Sequence, residues 1–203
     1  MKRLAALAAL TLLTGSDAFA RPPVFALPSQ VVEGQGCPAG SFSVVTAPDG
    51  SALTVLFDNF SIKGPDANGG IAKITCAVEI PLHLPDGYSL GVYKVDYRGF
   101  AHLDAKQRAE LDINYGVLRH NRSRNFRRGI KGAYDGDFNF TERLGAGLMK
   151  RAGCGEDAVL NFAAALTLQA GVGSGQATMA LDSVDGAPKG GLVFGLDLKK
   201  CGG

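Results

Sequence analysis

Tryptophan is absent from the 203 residues, histidine occurs three times, and none of the four cysteines stands in a C-x-x-C pair. The cysteine spacing removes zinc clusters of the usual ligand pattern and thioredoxin-type redox chemistry. No G-x-S-x-G string occurs, and Gly173-Ser174-Gly175 lacks its spacing, so there is no motif for a serine-hydrolase elbow. Long apolar runs are missing too. Residues 4–13 are apolar but shorter than the roughly 20 residues a membrane helix needs, and no later segment is apolar enough to span. An excess of charge of one sign is also lacking. A formal net charge of +2 argues against a surface built wholly for nucleic acid or membrane. No residue pattern points to a cofactor.

What is present begins with an export signal. Lys2 and Arg3 precede the apolar run, Gly15, Ser16 and Asp17 break it, and Ala18-Phe19-Ala20 has the small-x-small form that a signal peptidase cleaves after. No cysteine follows to carry a lipoprotein anchor. Residues 1–20 are therefore expected to be removed, leaving a chain of 183 residues with a net charge of +1, in a secreted or periplasmic location. That length supports one domain with a substantial core. Residues 21–36, with Pro22, Pro23, Pro28, Gly34 and Gly36, read as an extended lead-in with an edge strand near Val31-Val32, and residues 37–203 as the domain itself.

In an exported chain, Cys37, Cys76, Cys154 and Cys201 read as disulfides. Three pairings exist; Cys37–Cys76 with Cys154–Cys201 is favoured because each closes one half of the chain. The 28 glycines and many short alternations point to numerous turns between numerous strands. Phe42, Val44 and Thr46, the turn Pro48-Asp49-Gly50-Ser51, then Leu53, Val55 and Phe57 form the clearest hairpin. Residues 61–70 read as a polar loop. Ile74, Cys76, Val78, Ile80 and Leu82 share one face of the next strand. After the turn Pro85-Asp86-Gly87, residues 88–97 alternate again. Ala109, Leu111, Ile113, Tyr115 and Val117 alternate with Arg108, Glu110, Asp112 and Asn114, the pattern of a half-solvated antiparallel strand. Later strands are expected over 159–168, 177–184 and 192–198, with a turn at Asp185-Gly186. A helical turn capped by Thr141 is expected within 140–150. Eight or nine strands without long helices predict an all-β fold, a single antiparallel β-sandwich, with a closed barrel as second choice.

Several strings also occur together in order: Gly36-Cys37-Pro38-Ala39-Gly40-Ser41, the Pro48 to Asp58 segment, Val95-Asp96-Tyr97-Arg98-Gly99-Phe100-Ala101-His102-Leu103, Gly132-Ala133-Tyr134-Asp135-Gly136, Asp182-Ser183-Val184-Asp185-Gly186, and Cys201 near the end. From about Gly34 to Cys201 the chain resembles the secreted family known as domain of unknown function 4360. The resemblance implies an extracytoplasmic protein with two disulfides and carries over no catalytic residue. Residues 119–131 are more basic here than the resemblance implies.

That basic stretch is the most distinctive candidate site. Arg119, Arg122, Arg124, Arg127, Arg128 and Lys131 place six positive charges in thirteen residues, with His120 among them. Guanidinium groups suit carboxylate, sulfate or phosphate partners. Outside the cell these are acidic polysaccharide and other polyanions. Nucleic acid is disfavoured, since Phe126 alone offers a stacking face. A hairpin loop kept soluble by its charge is the plainer account of the same residues.

Asp135, Asp137 and Asn139 start like a calcium loop, but Phe140 stands where glycine is needed and no glutamate closes the set. Asp66 to Gly70 is equally incomplete, and turn chemistry explains both. His83 and His102 lack a positioned nucleophile. A glycosidase pair of carboxylates cannot be picked from sequence. Asp96-Tyr97-Arg98 reads as an ion pair with a tyrosine fixing a sandwich corner between two strands, or as a ligand contact at a strand end. Asn59, Asn121 and Asn139 begin glycosylation sequons.

The expected function is a secreted, non-enzymatic binding or surface-associated protein, with an anionic glycan as partner and Arg127 and Arg128 as leading contacts. A secreted carbohydrate-active hydrolase or lyase, and a structural envelope protein, are the alternatives. Ligand and oligomeric state are left open by the residues.

Overall fold

The computed structural model describes residues 24–26, 31–65, 68–117, 124–145, 151–155, 158–181 and 190–202. The expected signal, residues 1–20, and most of the lead-in lie outside these. Among the described residues are fourteen strands and no helix. They are β1 (Phe25–Ala26), β2 (Val31–Glu33), β3 (Phe42–Thr46), β4 (Ala52–Phe57), β5 (Ser61–Lys63), β6 (Gly70–His83) and β7 (Tyr88–Leu103). They continue as β8 (Gln107–Gly116), β9 (Arg124–Lys131), β10 (Tyr134–Arg143), β11 (Arg151–Gly153), β12 (Ala158–Ala170), β13 (Thr178–Ala180) and β14 (Gly191–Lys200).

Two antiparallel sheets result. One runs β1–β6–β12–β8–β9, with β2 also on β6; the other runs β3–β4–β14–β7–β13–β5, with β10 and β11 also on β7. The turns β7–β8 and β9–β10 each carry the chain from one sheet to the other. The strand count exceeds the expected eight or nine because two- and three-residue strands such as β1, β5, β11 and β13 are too short to show a period. Residues 61–70 are accordingly not all loop, since β5 opens them and pairs with β13.

Alternation was the reliable guide. Ala109, Leu111, Ile113 and Tyr115 of β8 are buried, as are Leu53, Val55 and Phe57 of β4 and Val78, Ile80 and Leu82 of β6. β12, whose alanines permit a helix, is a strand because β6 and β8 flank it on both edges and use its backbone groups throughout. Two expectations fail. Thr141 caps no helix: β10 runs on to Arg143, and the Thr141 hydroxyl donates instead to Asp96 Oδ1 at 2.7 Å. Asp96-Tyr97-Arg98 is not at a strand end but in the middle of β7, whose sixteen residues have partners on both edges.

Both disulfides, Cys37–Cys76 and Cys154–Cys201, are formed. The first ties the segment before β3 to the inward face of β6; the second ties the end of β11 to the end of β14. They close loops of 39 and 47 residues, worth about 4 kcal/mol each by the chain-entropy account. Unfolding in urea with and without reductant should show a loss of that order per bond. Unchanged midpoints would contradict it.

A polar tie joins the two sheets near the β9–β10 side. The hydroxyls of Tyr97 (β7) and Tyr115 (β8) both donate to Glu142 Oε2 (β10), at 3.2 and 2.9 Å. Neither tyrosine is more than 1 % exposed. Burial above all, then the neighbouring Tyr115 phenol and the Glu142 charge for Tyr97, and Glu142 for Tyr115, push both phenols well above the usual tyrosine range. Above about pH 10 the unfolded chain therefore ionises these groups while the folded chain does not. Each should cost about 1.4 kcal/mol of stability per further pH unit. Tyr115→Phe should lower the slope of the alkaline limb by that amount, measured by urea unfolding from pH 9.5 to 11.5; an unaltered slope would contradict the assignment.

Candidate functional site

Six cations in a row along a chain are not six cations in one place. Of the set proposed from sequence, Arg119 and Arg122 lie outside the described residues. The remaining four are not in a loop: residues 124–131 are the edge strand β9, so successive side chains face opposite ways. Arg124, Phe126, Arg128 and Ile130 fall on one side, and Asn125, Arg127, Gly129 and Lys131 on the other.

On the first side the cations are engaged with the sandwich. Arg124 is half-buried and paired in register with Tyr115. Phe126 is buried and stacks on Tyr97 with centroids 4.0 Å apart. Arg128 is exposed, its guanidinium carbon 4.6 Å from the Phe126 centroid, and donates to the Arg127 carbonyl at 2.9 Å.

On the other side, register builds a broad polar face across four strands. One row reads Ala77, Ala163, Asn114, Asn125; the next reads Thr75, Ala165, Asp112, Arg127; the next Lys73, Thr167, Glu110, Gly129; and the last Ile71, Gln169, Arg108, Lys131. Arg127 donates from Nε to Asp112 Oδ2 at 2.9 Å and from Nη2 to the same oxygen, with Glu110 Oε1 3.5 Å away. Asp112 first, and then Glu110, raise its pKa above the ordinary arginine range. Asn125 Nδ2 donates to Asp112 Oδ1 at 2.7 Å and to Asn114 Oδ1 at 3.2 Å. The charge of Arg127 is thus answered within the protein. Beside this network lies an open groove of about 450 Å³, floored by Ala163 and Ala165 and edged by Lys73, Glu33, Asp112 and Asn114.

A second recess, of about 420 Å³, opens at the far end of the same face. Lys106, Arg108 and Lys131 line it, with Gln107, Gln169 and the backbone of Gly132 and Gly171. Among the described residues that line it there is no carboxylate. The Arg108 guanidinium lies over Gly129 and touches Glu110 at 3.4 Å, an exposed pair of small worth that a carboxylate in the recess can replace. Along β8, Arg108 and Asp112 are four residues apart, about 13 Å at strand spacing, so groove and recess lie end to end.

The recess is held by two turns packed on each other. Gln107 is buried; its carbonyl oxygen accepts from the Asp104 N–H at 2.6 Å, and its amide donates to the Gly175 carbonyl. The Gly132 N–H donates to the Gln107 carbonyl at 3.0 Å. A Cβ at position 132 would stand 1.7 Å from the Asp104 carbonyl oxygen, so only glycine lets the β9–β10 turn lie against the β7–β8 turn. That contact keeps Lys131 beside its register partner Arg108.

Lys106, Arg108 and Gln169 were not read as site residues in the sequence. The alternation of its strand marks Arg108 as solvent-facing, but its neighbour on the next strand is a matter of pairing, which no local pattern discloses. The remaining candidates stay apart. Asp135, Asp137 and Asn139 lie on alternate positions of β10, and His102 Nδ1 is 3.2 Å from Asp135 Oδ1 on the exposed surface. Asp96 is buried on the outer side of β7. Burial pushes its carboxyl up, but hydrogen bonds from Lys94 and Thr141 and the charges of Lys94 and Arg98 outweigh this and hold it below its ordinary value.

Comparison with known proteins gives three findings. A family model described as domain of unknown function (DUF4360) matches residues 25–201. An "Uncharacterized secreted protein" of Arthroderma benhamiae is 27 % identical over 153 residues, which is 75 % of this chain and 62 % of that protein. The aligned region thus spans under two thirds of that relative's length. A solved structure of TmCBM61 in complex with beta-1,4-galactotriose covers 85 % of this chain and 89 % of its own, at 13 % identity and a TM-score of 0.28. A score of that size does not bear on what this chain binds. The secreted relative and the two closed disulfides agree with an extracytoplasmic protein.

Gly132→Ala should destabilise the chain by about 2–4 kcal/mol, because backbone rather than a movable side chain meets the new methyl. Thermal unfolding checks this. A change under 0.5 kcal/mol would show that the two turns are not locked together.

Proposed function

The chain belongs to the DUF4360 family, and from the two-part face described above we propose that it is an extracytoplasmic, non-enzymatic binding protein for an acidic polysaccharide. The polymer lies along the outer face of β6–β12–β8–β9. Hydroxyl groups meet the amides and carboxylates edging the groove, and a sugar carboxylate enters the recess at its end. The observation that carries this reading is the recess, which Lys106, Arg108 and Lys131 all line, with no carboxylate in the described lining. Arg108 supplies a planar fork matched to a carboxylate, while the two lysines supply point charges.

Within the basic string the weight therefore moves. Lys131 is the leading contact, and Arg127 serves to hold Asp112 and Asn125 in place. Arg128 sits on the other side of the edge strand, over Phe126, and meets polymer only if it wraps round that edge. The small-residue floor suits the reading as well: Ala163, Ala165 and Ala77 leave room for a flat sugar ring to approach the backbone. A binding surface needs no turnover, and no pair of carboxylates is required to face each other across the groove.

The test is retention of the purified chain on immobilised polygalacturonate and on a neutral glucan, in 0.05 and 0.5 M salt. Polygalacturonate should retain the chain and the glucan should not, and high salt should weaken retention because the cations are exposed. Arg108→Ala with Lys131→Ala should reduce affinity at least tenfold, and Arg127→Ala less than threefold. Retention unchanged in the double variant, or equal on both polymers, would overturn the proposal.

A further inference from the structure

The opposite outer face of the sandwich carries an exposed aromatic ring in an unusual setting. In the β14–β7 ladder Gly195 pairs with Lys94 and Leu196 with Val92, so Tyr93 between them has no partner and forms a bulge. Its carbonyl is used, accepting the Leu144 N–H at 2.8 Å, but its side chain is free to leave the strand's ordinary alternation. The ring lies down over Gly195: a Cβ there would stand 2.9 Å from two of its carbons. Backbone at Gly195 therefore supports the ring on one side, while Tyr93 remains 43 % exposed. The other exposed large apolar groups are aliphatic: Val45 lies on β3 of the same sheet, and Ile71 and Val172 lie elsewhere.

The surroundings are cationic. Lys94 and Arg98 follow on the same outward side of β7, and Arg143 of β10 is the register partner of Lys94. Two carboxylates of this surface are already met within the protein: Asp96 by Lys94 Nζ at 2.8 Å and by Thr141, and Asp197, two residues beyond Gly195 on β14, by Arg151 Nη1 at 2.7 Å. Arg98 approaches it only at 4.0 Å and is half-exposed, and Arg143 is exposed. A supported flat ring favours the C–H face of a pyranose, since its π-cloud is negative and the sugar hydrogens are weakly positive. Arg143, in register with Lys94 on the neighbouring strand, and Arg98, about 13 Å beyond Lys94 along β7 at strand spacing, favour carboxylates on the bound sugar and its neighbours.

We propose that Tyr93 on its glycine bed, with Lys94, Arg98 and Arg143, is a second binding site, for a uronic acid residue of an acidic polysaccharide. It lies on the sheet opposite the recess, so one molecule engages two polymer strands and links them. The platform stands on its own observations. The linking rests on the reading given under the proposed function.

Two measurements test it. Tyr93→Trp introduces the chain's sole tryptophan, whose emission should shift and saturate on titration with oligogalacturonate, and not with a neutral glucan oligomer. Emission unmoved by oligogalacturonate would overturn the platform. The second compares binding to polygalacturonate by the wild type, Tyr93→Ala, the Arg108→Ala/Lys131→Ala pair, and all three changes together. Tyr93→Ala should lose at least fivefold in affinity and abolish the turbidity that linking produces, while Tyr93→Phe retains both. Loss in Tyr93→Ala with none in the pair would leave the platform standing and sink the recess. The reverse would sink the platform alone, and no binding by the wild type would sink both.

Discussion

A β-strand offers each face only every second side chain, and the whole arrangement of this protein's surface follows from that rule. β9 is the sharpest case. Its string of basic residues looks like one feature along the chain, yet Arg124 and Arg128 are turned toward the sandwich edge and Arg127 and Lys131 toward the outer face. The same rule brings residues distant in sequence together. Lys131 meets Arg108 because β9 pairs with β8, and Gln169 joins them because β12 pairs with β8 on its other edge. Function, on this account, lies in the rows across strands rather than in the runs along them.

Those rows hold only while the register holds, and the register is fixed by contacts remote from the face itself. Inward-facing Leu111, Ile113 and Tyr115 would all be turned outward by a one-residue slip of β8. The glutamate shared by Tyr97 and Tyr115 ties both sheets at one side, and the disulfides tie them to the segments that lead in and out. At the recess, Gly132 allows two turns to touch where any side chain would separate them. The surface cations themselves contribute little to stability, as expected of exposed pairs. They are free to be spent on a partner.

How much of this could be read beforehand varies with the range of the interaction responsible. Strand positions with a clear period of two and the Pro48–Ser51 hairpin are legible because each is a local pattern, and of three possible disulfide pairings the one favoured because each bond closes half of the chain is the one formed. The fourteen-strand count was not: strands such as β5 and β13 are three residues long and exist because neighbours offer them backbone partners. A helical start at Thr141 fails for the same reason, since β7 supplies a full edge to β10, while residues 146–150 of the expected turn lie outside the described residues. The candidate site was half legible. Lys131 was in the basic string, but Lys106 and Arg108 belong to other strands and turns. Tyr93 falls within the alternating stretch 88–97, and the bulge that frees its ring arises only from pairing with β14.

The central claim is that an acidic sugar is held in the recess lined by Lys106, Arg108 and Lys131. A crystal structure of the chain with a short oligogalacturonate tests it most directly. The account predicts a sugar carboxylate within hydrogen-bonding distance of Arg108 and Lys131, with the rest of the oligomer lying toward Ala163 and Ala165. An oligomer bound with its carboxylates away from that recess, or a recess empty beside an oligomer seated elsewhere on the sheet, would contradict it.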